Sequence, residues 1–153
     1  MCVERTGTPV ADRALPTQIE HVMTMHPPAT VLVVEDEAFL LFAIADELRE
    51  AGFDVLEATN ADQAIRFLEA RQDIAILFTD IDMPGSMDGL RLSAAVRDRW
   101  PPIKIIITSG KRQPAQDAMP SGGVFLPKPY APVTVAATIH GLLAWRTPAV
   151  KDR

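Results

Sequence analysis

Short apolar runs rich in β-branched residues recur along this chain, and between them hydrophobic positions fall three and four apart. Val31-Leu32-Val33-Val34 is continuously apolar, the pattern of a strand buried on both faces. Over residues 38–51, Leu40, Leu41, Ile44 and Leu48 share one face of a helix, and Gly52 suits its stop. Residues 54–58 read as a second strand. Thr59 or Asn60 can cap a helix running to about Ala70, with Ala64, Ile65 and Leu68 inward. Residues 74–79 read as a third strand. A helix over 88–99 is stopped by Pro101-Pro102. Residues 103–108 and 124–126 are the fourth and fifth strands, and 132–145 the last helix, with Pro132 in its first turn. Between the last two strands only about residues 113–118 can be helical, and Pro114 and Pro120 interrupt or border them. The fourth helix is therefore predicted to be short, distorted or mobile.

Strands alternating with helices imply right-handed crossovers and an α/β fold, with a parallel sheet covered on both faces. Ligands of such sheets bind beyond the carboxyl ends of the strands. Chemistry-bearing residues stand at those ends: Glu35 and Asp36 after the first strand, Asp80 after the third, Ser109 after the fourth and Lys128 after the fifth. This coincidence points to a single site.

Composition narrows the rest. A chain of 153 residues, 48% hydrophobic and 23% charged, suits one globular domain. Residues 1–28 mix Thr, Pro, His and charges without periodicity and read as a flexible tail; the domain is placed at 29–147 and a short tail at 148–153. A net charge of −5 gives no electrostatic case for nucleic acid. No stretch approaches the roughly 18 apolar residues of a membrane span, and residues 1–28 lack the apolar segment of a signal peptide. Cys2 is the sole cysteine, so no intrachain disulfide forms. Cytoplasmic location is expected by default. An exposed face at Leu142, Leu143 and Trp145 could support a homodimer.

At the proposed site, Asp80 clustered with Glu35 and Asp36 suffers like-charge repulsion unless a cation neutralises it. Mg²⁺ is the natural answer, because it takes oxygen ligands and keeps several waters. Glu37 reads more simply as an acid favoured by a helix dipole. Thr108 and Ser109 compete for the role of a hydroxyl that donates to a phosphoryl oxygen. Ser109 is preferred because it lies nearer the strand end and precedes Gly110, which leaves room beside it. Lys128, between Pro127 and Pro129, has a restricted backbone, is a candidate for a cis bond to Pro129, and projects toward the acidic cluster as a phosphate partner.

These stretches together resemble the response-regulator receiver domain of the CheY-like type. The resemblance is carried over residues 30–146 by Val31-Leu32-Val33-Val34-Glu35-Asp36-Glu37, by Thr79-Asp80-Ile81-Asp82-Met83-Pro84 leading to Met87-Asp88-Gly89-Leu90, by Ile107-Thr108-Ser109-Gly110, and by Leu126-Pro127-Lys128-Pro129-Tyr130. It implies a flavodoxin-like (βα)5 doubly wound sheet in the order 2-1-3-4-5, an order attached to CheY in general accounts of such folds rather than deduced from spacing. It also implies an autocatalytic phosphoryl acceptor rather than a turnover enzyme. Asp80 is similar to the carboxylate that attacks a phosphohistidine on a sensor histidine kinase or a histidine phosphotransfer protein. Glu35 and Asp36 look like the pair that positions Mg²⁺, with Asp80 and the backbone carbonyl of Asp82 completing the protein ligands. Lys128 would ion-pair with the phosphoryl group, Ser109 would be the switch hydroxyl, and Phe125 matches the switch aromatic.

The chain departs from that pattern in two places. Gly85-Ser86 lengthens the loop after Pro84 by one residue, and the stretch from Gly110 to Gly122 is short. Asp82 and Lys111 flank the expected route of attacking water and carry opposite charges; they can pair across the entrance, so that Asp82→Ala or Lys111→Ala alters the lifetime of the phosphorylated state. The reading is a single-domain response regulator that signals to a downstream protein, or a phosphorelay intermediate or phosphate sink. Two other classes compete. Asp80-Ile81-Asp82 also resembles the Asp-x-Asp nucleophile of haloacid-dehalogenase-like phosphatases, although the acidic pair lies upstream and little chain is left for a cap. A receiver fold inert to phosphorylation is the other.

Overall fold

The computed structural model describes residues 27–111 and 113–144. The tail expected over 1–28 falls almost wholly outside them, as does Trp145. Five strands, β1 (Thr30–Val34), β2 (Asp54–Ala58), β3 (Ile74–Asp80), β4 (Lys104–Ser109) and β5 (Val124–Pro127), form one parallel sheet in the order β2-β1-β3-β4-β5. The helices are α1 (Ala38–Glu50), α2 (Ala61–Ala70), α3 (Gly89–Arg99) and α4 (Pro132–Ala144). Between β4 and β5 the only helical element among the described residues is a single 3₁₀ turn at Gln116–Ala118, each of whose residues is exposed. The expected short fourth helix is thus this turn.

The two-residue alternation of the strands divides the core. Val31, Val33, Ile76, Phe78 and Ile106 face α1 and α4, meeting Leu41, Ile44, Leu48, Val135 and Ile139. Leu32, Val34, Leu77, Ile105 and Ile107 face α2 and α3, meeting Ala64, Leu68, Leu92 and Val96. All ten of these strand residues are buried, which is why the strands read as continuous apolar runs rather than alternating ones. Each large side chain enclosed in this way contributes about 1.5–3 kcal/mol.

Helix ends follow local chemistry. Asn60, and not Thr59, caps α2, its side chain accepting the Gln63 N–H at 2.9 Å. Asp88 caps α3 by accepting the Arg91 N–H at 2.9 Å. Gly52 leaves α1 with φ of +96°, a conformation that favours glycine. Leu142 and Leu143 are half-buried against the first core cluster, so they do not form the exposed face expected of them.

Register sets the site. Val34 pairs with Ala58 and with Thr79, Asp80 with Thr108, and Ser109 with Pro127. The residues at or just past these pairs therefore lie at one level across the top of the sheet. Backbone bonds just beyond the strand ends hold them there: Glu35 N–H to Ala58 O at 3.0 Å, Ile81 N–H to Thr108 O at 2.9 Å and Lys128 N–H to Ser109 O at 3.0 Å.

Candidate functional site

Carboxylate oxygens of Glu35, Asp36 and Asp80 lie within 4.8 Å of one another. Glu35 and Asp80 are buried at 1% and 4% exposure, whereas Asp36 is exposed. Glu35 is fixed by the Glu37 N–H, which donates to its Oε1 at 3.1 Å. Lys128 reaches over from the end of β5 and spans the two buried acids, with Nζ 3.1 Å from Asp80 Oδ2 and 3.2 Å from Glu35 Oε2. The Lys128–Pro129 peptide bond is cis.

Burial dominates the electrostatics. It raises the Glu35 and Asp80 carboxyls above the ordinary carboxylate range. The mutual repulsion of the two acids adds to the effect on Glu35, and Lys128 opposes it on both. Burial alone would lower Lys128, but its hydrogen bond to Asp80 and the charges of Glu35 and Asp80 outweigh that and raise it. The result is an ammonium held between two carboxylates that gain from any further positive charge.

The donor set fits a hard divalent cation: three carboxylates, no sulfur and no imidazole, one of them open to solvent so that coordinated water can remain. Lys128 pairs with both buried acids, and Asp36 is exposed.

Ser109 and Thr108 separate clearly. Thr108 is fully buried, and its hydroxyl finds no partner among the described residues. Ser109 instead lines a solvent-open cleft of about 430 Å³ together with Lys111, Phe125 and Lys128. Its Oγ donates to Asp82 Oδ2 at 3.1 Å and accepts the Lys111 N–H at 3.3 Å. Phe125 is half-buried against the second core cluster and at the same time borders this cleft. Gly110 is exposed; a methyl group there would meet the Lys128 side chain at an ordinary 3.6 Å, so the room expected beside Ser109 is not created by glycine alone.

One expected contact does not form. Among the described residues no ion pair joins Asp82 to Lys111. Lys111 is exposed, and the Asp82 carboxylate turns to the Ser109 hydroxyl. A hydroxyl held at the strand end outcompetes a long, solvated side chain, which loses rotamer freedom on pairing.

The parts played by two further residues emerge only in three dimensions. Gly89 begins α3 directly against the acceptor strand: a Cβ there would stand 1.8 Å from Asp80 O, and its N–H donates to Ile81 O at 2.9 Å. The Asp88-Gly89 pair at a helix start was the visible signal. Tyr130 packs edge-on to Phe78, with ring centroids 5.8 Å apart. Its enclosed hydroxyl has no partner among the described residues, and burial followed by the charges of Glu35 and Asp80 raises it, so it remains a neutral donor.

Comparison with known proteins agrees with this geometry. Residues 31–140 match the profile of the response regulator receiver domain. Chemotaxis protein CheY of Thermotoga maritima is 33% identical over 115 residues, covering 72% of this chain and 93% of that protein. The crystal structure of the receiver domain from hybrid histidine kinase CckA is 32% identical, with a TM-score of 0.64, covering 74% of this chain and 98% of that one. A receiver domain from Clostridium thermocellum is 28% identical, with a TM-score of 0.67, covering 74% of this chain and 92% of that one. Other curated relatives are far longer: the chain spans 22% of response regulator FleR of Pseudomonas aeruginosa, at 34% identity and 67% of this chain, and 14% of sensor kinase CckA of Brucella abortus, at 33% identity and 82% of this chain. The sheet order, the acids bridged by a lysine at the strand ends and these likenesses have one meaning: the chain belongs to the response-regulator receiver-domain family of two-component signalling.

Proposed function

We propose that this receiver domain takes a phosphoryl group from a phosphohistidine onto Asp80, and that the change in charge is read by a protein partner. The observation that carries the proposal is the Lys128 ammonium shared by Asp80 and Glu35 at 3.1 and 3.2 Å, at the carboxyl ends of three different strands. An Asp80 carboxylate oxygen attacks phosphorus; the new P–O bond forms as the P–N bond breaks, and the imidazole keeps the bonding electrons. Lys128 faces the negative charge that gathers on the phosphoryl oxygens. Glu35, Asp36, Asp80 and the backbone carbonyl of Asp82 would hold Mg²⁺, which when bound neutralises the same developing charge. Rate comes mainly from positioning and charge neutralisation, so the domain modifies itself and does not turn over.

The donor is a sensor histidine kinase or a histidine phosphotransfer protein. Once modified, Asp80 carries about −1.5 to −2 charges in place of −1. Ser109 then moves onto the phosphoryl oxygens and Phe125 repacks, biasing the surface around β4, β5 and α4 toward the form that a downstream protein binds. We place its action in the cytoplasm, where the kinase or phosphotransfer donor would act; no helix among the described residues is long and apolar enough to cross a membrane. One feature favours the second reading, a relay intermediate or phosphate sink: a lone 3₁₀ turn stands where the fourth crossover helix would offer a signalling surface.

Incubation with acetyl phosphate and Mg²⁺ followed by intact-mass spectrometry tests the proposal. One phosphoryl adduct is expected on the wild type and none on Asp80→Asn; an adduct that survives that substitution, or none on the wild type, refutes it. Rapid return of phosphate to a phosphotransfer protein would favour the relay over the signalling module.

A further inference from the structure

We propose that the Asp82 carboxylate is a latch on Ser109, holding its hydroxyl away from the acceptor in the unmodified state and so setting how readily the domain switches. This rests on Asp80 being the phosphoryl acceptor.

A serine hydroxyl has one proton to donate. In this structure that proton goes to Asp82 Oδ2, at 3.1 Å, while the oxygen accepts the Lys111 N–H at 3.3 Å. Ser109 is only 3% exposed, although it borders the solvent-open cleft shared with Phe125 and Lys128. A hydrogen bond from a hydroxyl to a carboxylate is charge-assisted, and at 3.1 Å this one is longer than the strongest of its kind. Among the described residues the Asp82 carboxylate has no ion-pair partner, and it accepts a hydrogen bond from the Ser109 hydroxyl. Asp82 is also tied to the acceptor: its own N–H lies 3.4 Å from Asp80 Oδ1, at the outer edge of hydrogen bonding.

Two anionic acceptors therefore compete for one proton. While Asp80 is unmodified, its Oδ2 is engaged by Lys128 and Asp82 keeps the serine. A phosphoryl group changes both sides of the balance. Its oxygens attract the Ser109 proton, and its charge repels the Asp82 carboxylate two residues along the chain. Asp82 is a positioning residue that acts through Ser109 and not on phosphorus.

The test is a double-mutant cycle in the full chain, measuring affinity for beryllofluoride, a tetrahedral mimic of an acyl phosphate, in the presence of Mg²⁺. Removing Asp82 also removes a like charge from the neighbourhood of the anion, and the cycle separates the two effects. Asp82→Ala is expected to tighten binding about tenfold when Ser109 is present, which is what losing one charge-assisted hydrogen bond from the resting state is worth. In the Ser109→Ala background the same substitution should tighten it no more than about threefold. Asp82→Asn keeps an uncharged acceptor and should fall between wild type and Asp82→Ala; it also carries the cycle should the alanine variant fold poorly. Equal tightening in both backgrounds, or none in either, overturns the latch and leaves the reading of Asp80 intact. Failure of the wild type to bind beryllofluoride overturns that reading, and the latch with it.

Discussion

Gly89 shows how much a single residue can decide. The first turn of α3 is seated so close to the acceptor strand that a methyl group would fall 1.8 Å from the Asp80 carbonyl oxygen, and the obstacle is backbone rather than a flexible side chain. Gly89→Ala is therefore expected to cost about 3 kcal/mol, the upper end of the usual penalty for overpacking, read as a lowered urea midpoint. Gly110→Ala is the control: its Cβ finds only the Lys128 side chain at 3.6 Å, and it should stay within about 0.5 kcal/mol of wild type. At this scale the sequence was legible where a residue's place follows from its strand. Glu35, Asp80 and Lys128 end apolar runs, and parallel register brings strand ends together. It was not legible where a loop rotamer decides. Opposite charge suggested Lys111 for Asp82, but nothing in the order of residues says that the Asp82 carboxylate turns to Ser109. The need for glycine at position 89 is likewise a through-space fact.

Among the elements, the strands were read almost to their ends because both faces of the sheet are buried and the apolar runs are unbroken. The errors are of one residue each: ladder pairing extends strands to Thr30, Asp80, Ser109 and Pro127, and the fourth strand begins at Lys104 rather than Ile103. The β4–β5 connection was harder, since prolines mark where a helix fails without saying what replaces it. The 3₁₀ turn there has no buried residue, and so little packing energy holds it. Amide hydrogen exchange should show it: residues 116–118 are expected to exchange at least about a hundredfold faster than the backbone of β1 and β3. Protection equal to that of the central strands would mean that the turn is secured by contacts not seen here.

For the molecule as a whole, the same grouping that makes the site also strains the fold. Glu35 and Asp80 hold their protons more tightly in the folded chain than in the unfolded one. Each therefore detracts from stability at pH above its folded value, and that burden lifts as pH falls toward the unfolded value. Lys128 offsets it; its side chain is 21% exposed, while those of Glu35 and Asp80 are 1% and 6%. Lys128→Met leaves two enclosed carboxylates without their counter-charge and should cost about 3 kcal/mol at neutral pH in the presence of a chelator. Without the ammonium both acids take up protons more readily still, so the deficit against wild type should shrink as pH falls. Mg²⁺ should restore part of it at neutral pH. Denaturant titrations of both proteins at several pH values, with chelator or with Mg²⁺, check sign and size together; a deficit that stays the same at every pH would mean that Lys128 stabilises by packing alone.

The shared ammonium has a consequence for ion preference. Glu35, Asp36 and Asp80 sum to −3, and Lys128 returns +1, leaving −2 on the four groups. One doubly charged ion balances that remainder. Sodium or potassium would leave half of it standing beside Glu35 and Asp80, which burial has already made reluctant anions. On the proposal that these acids hold Mg²⁺, the lysine would thus favour a doubly charged ion over a singly charged one without itself being a ligand.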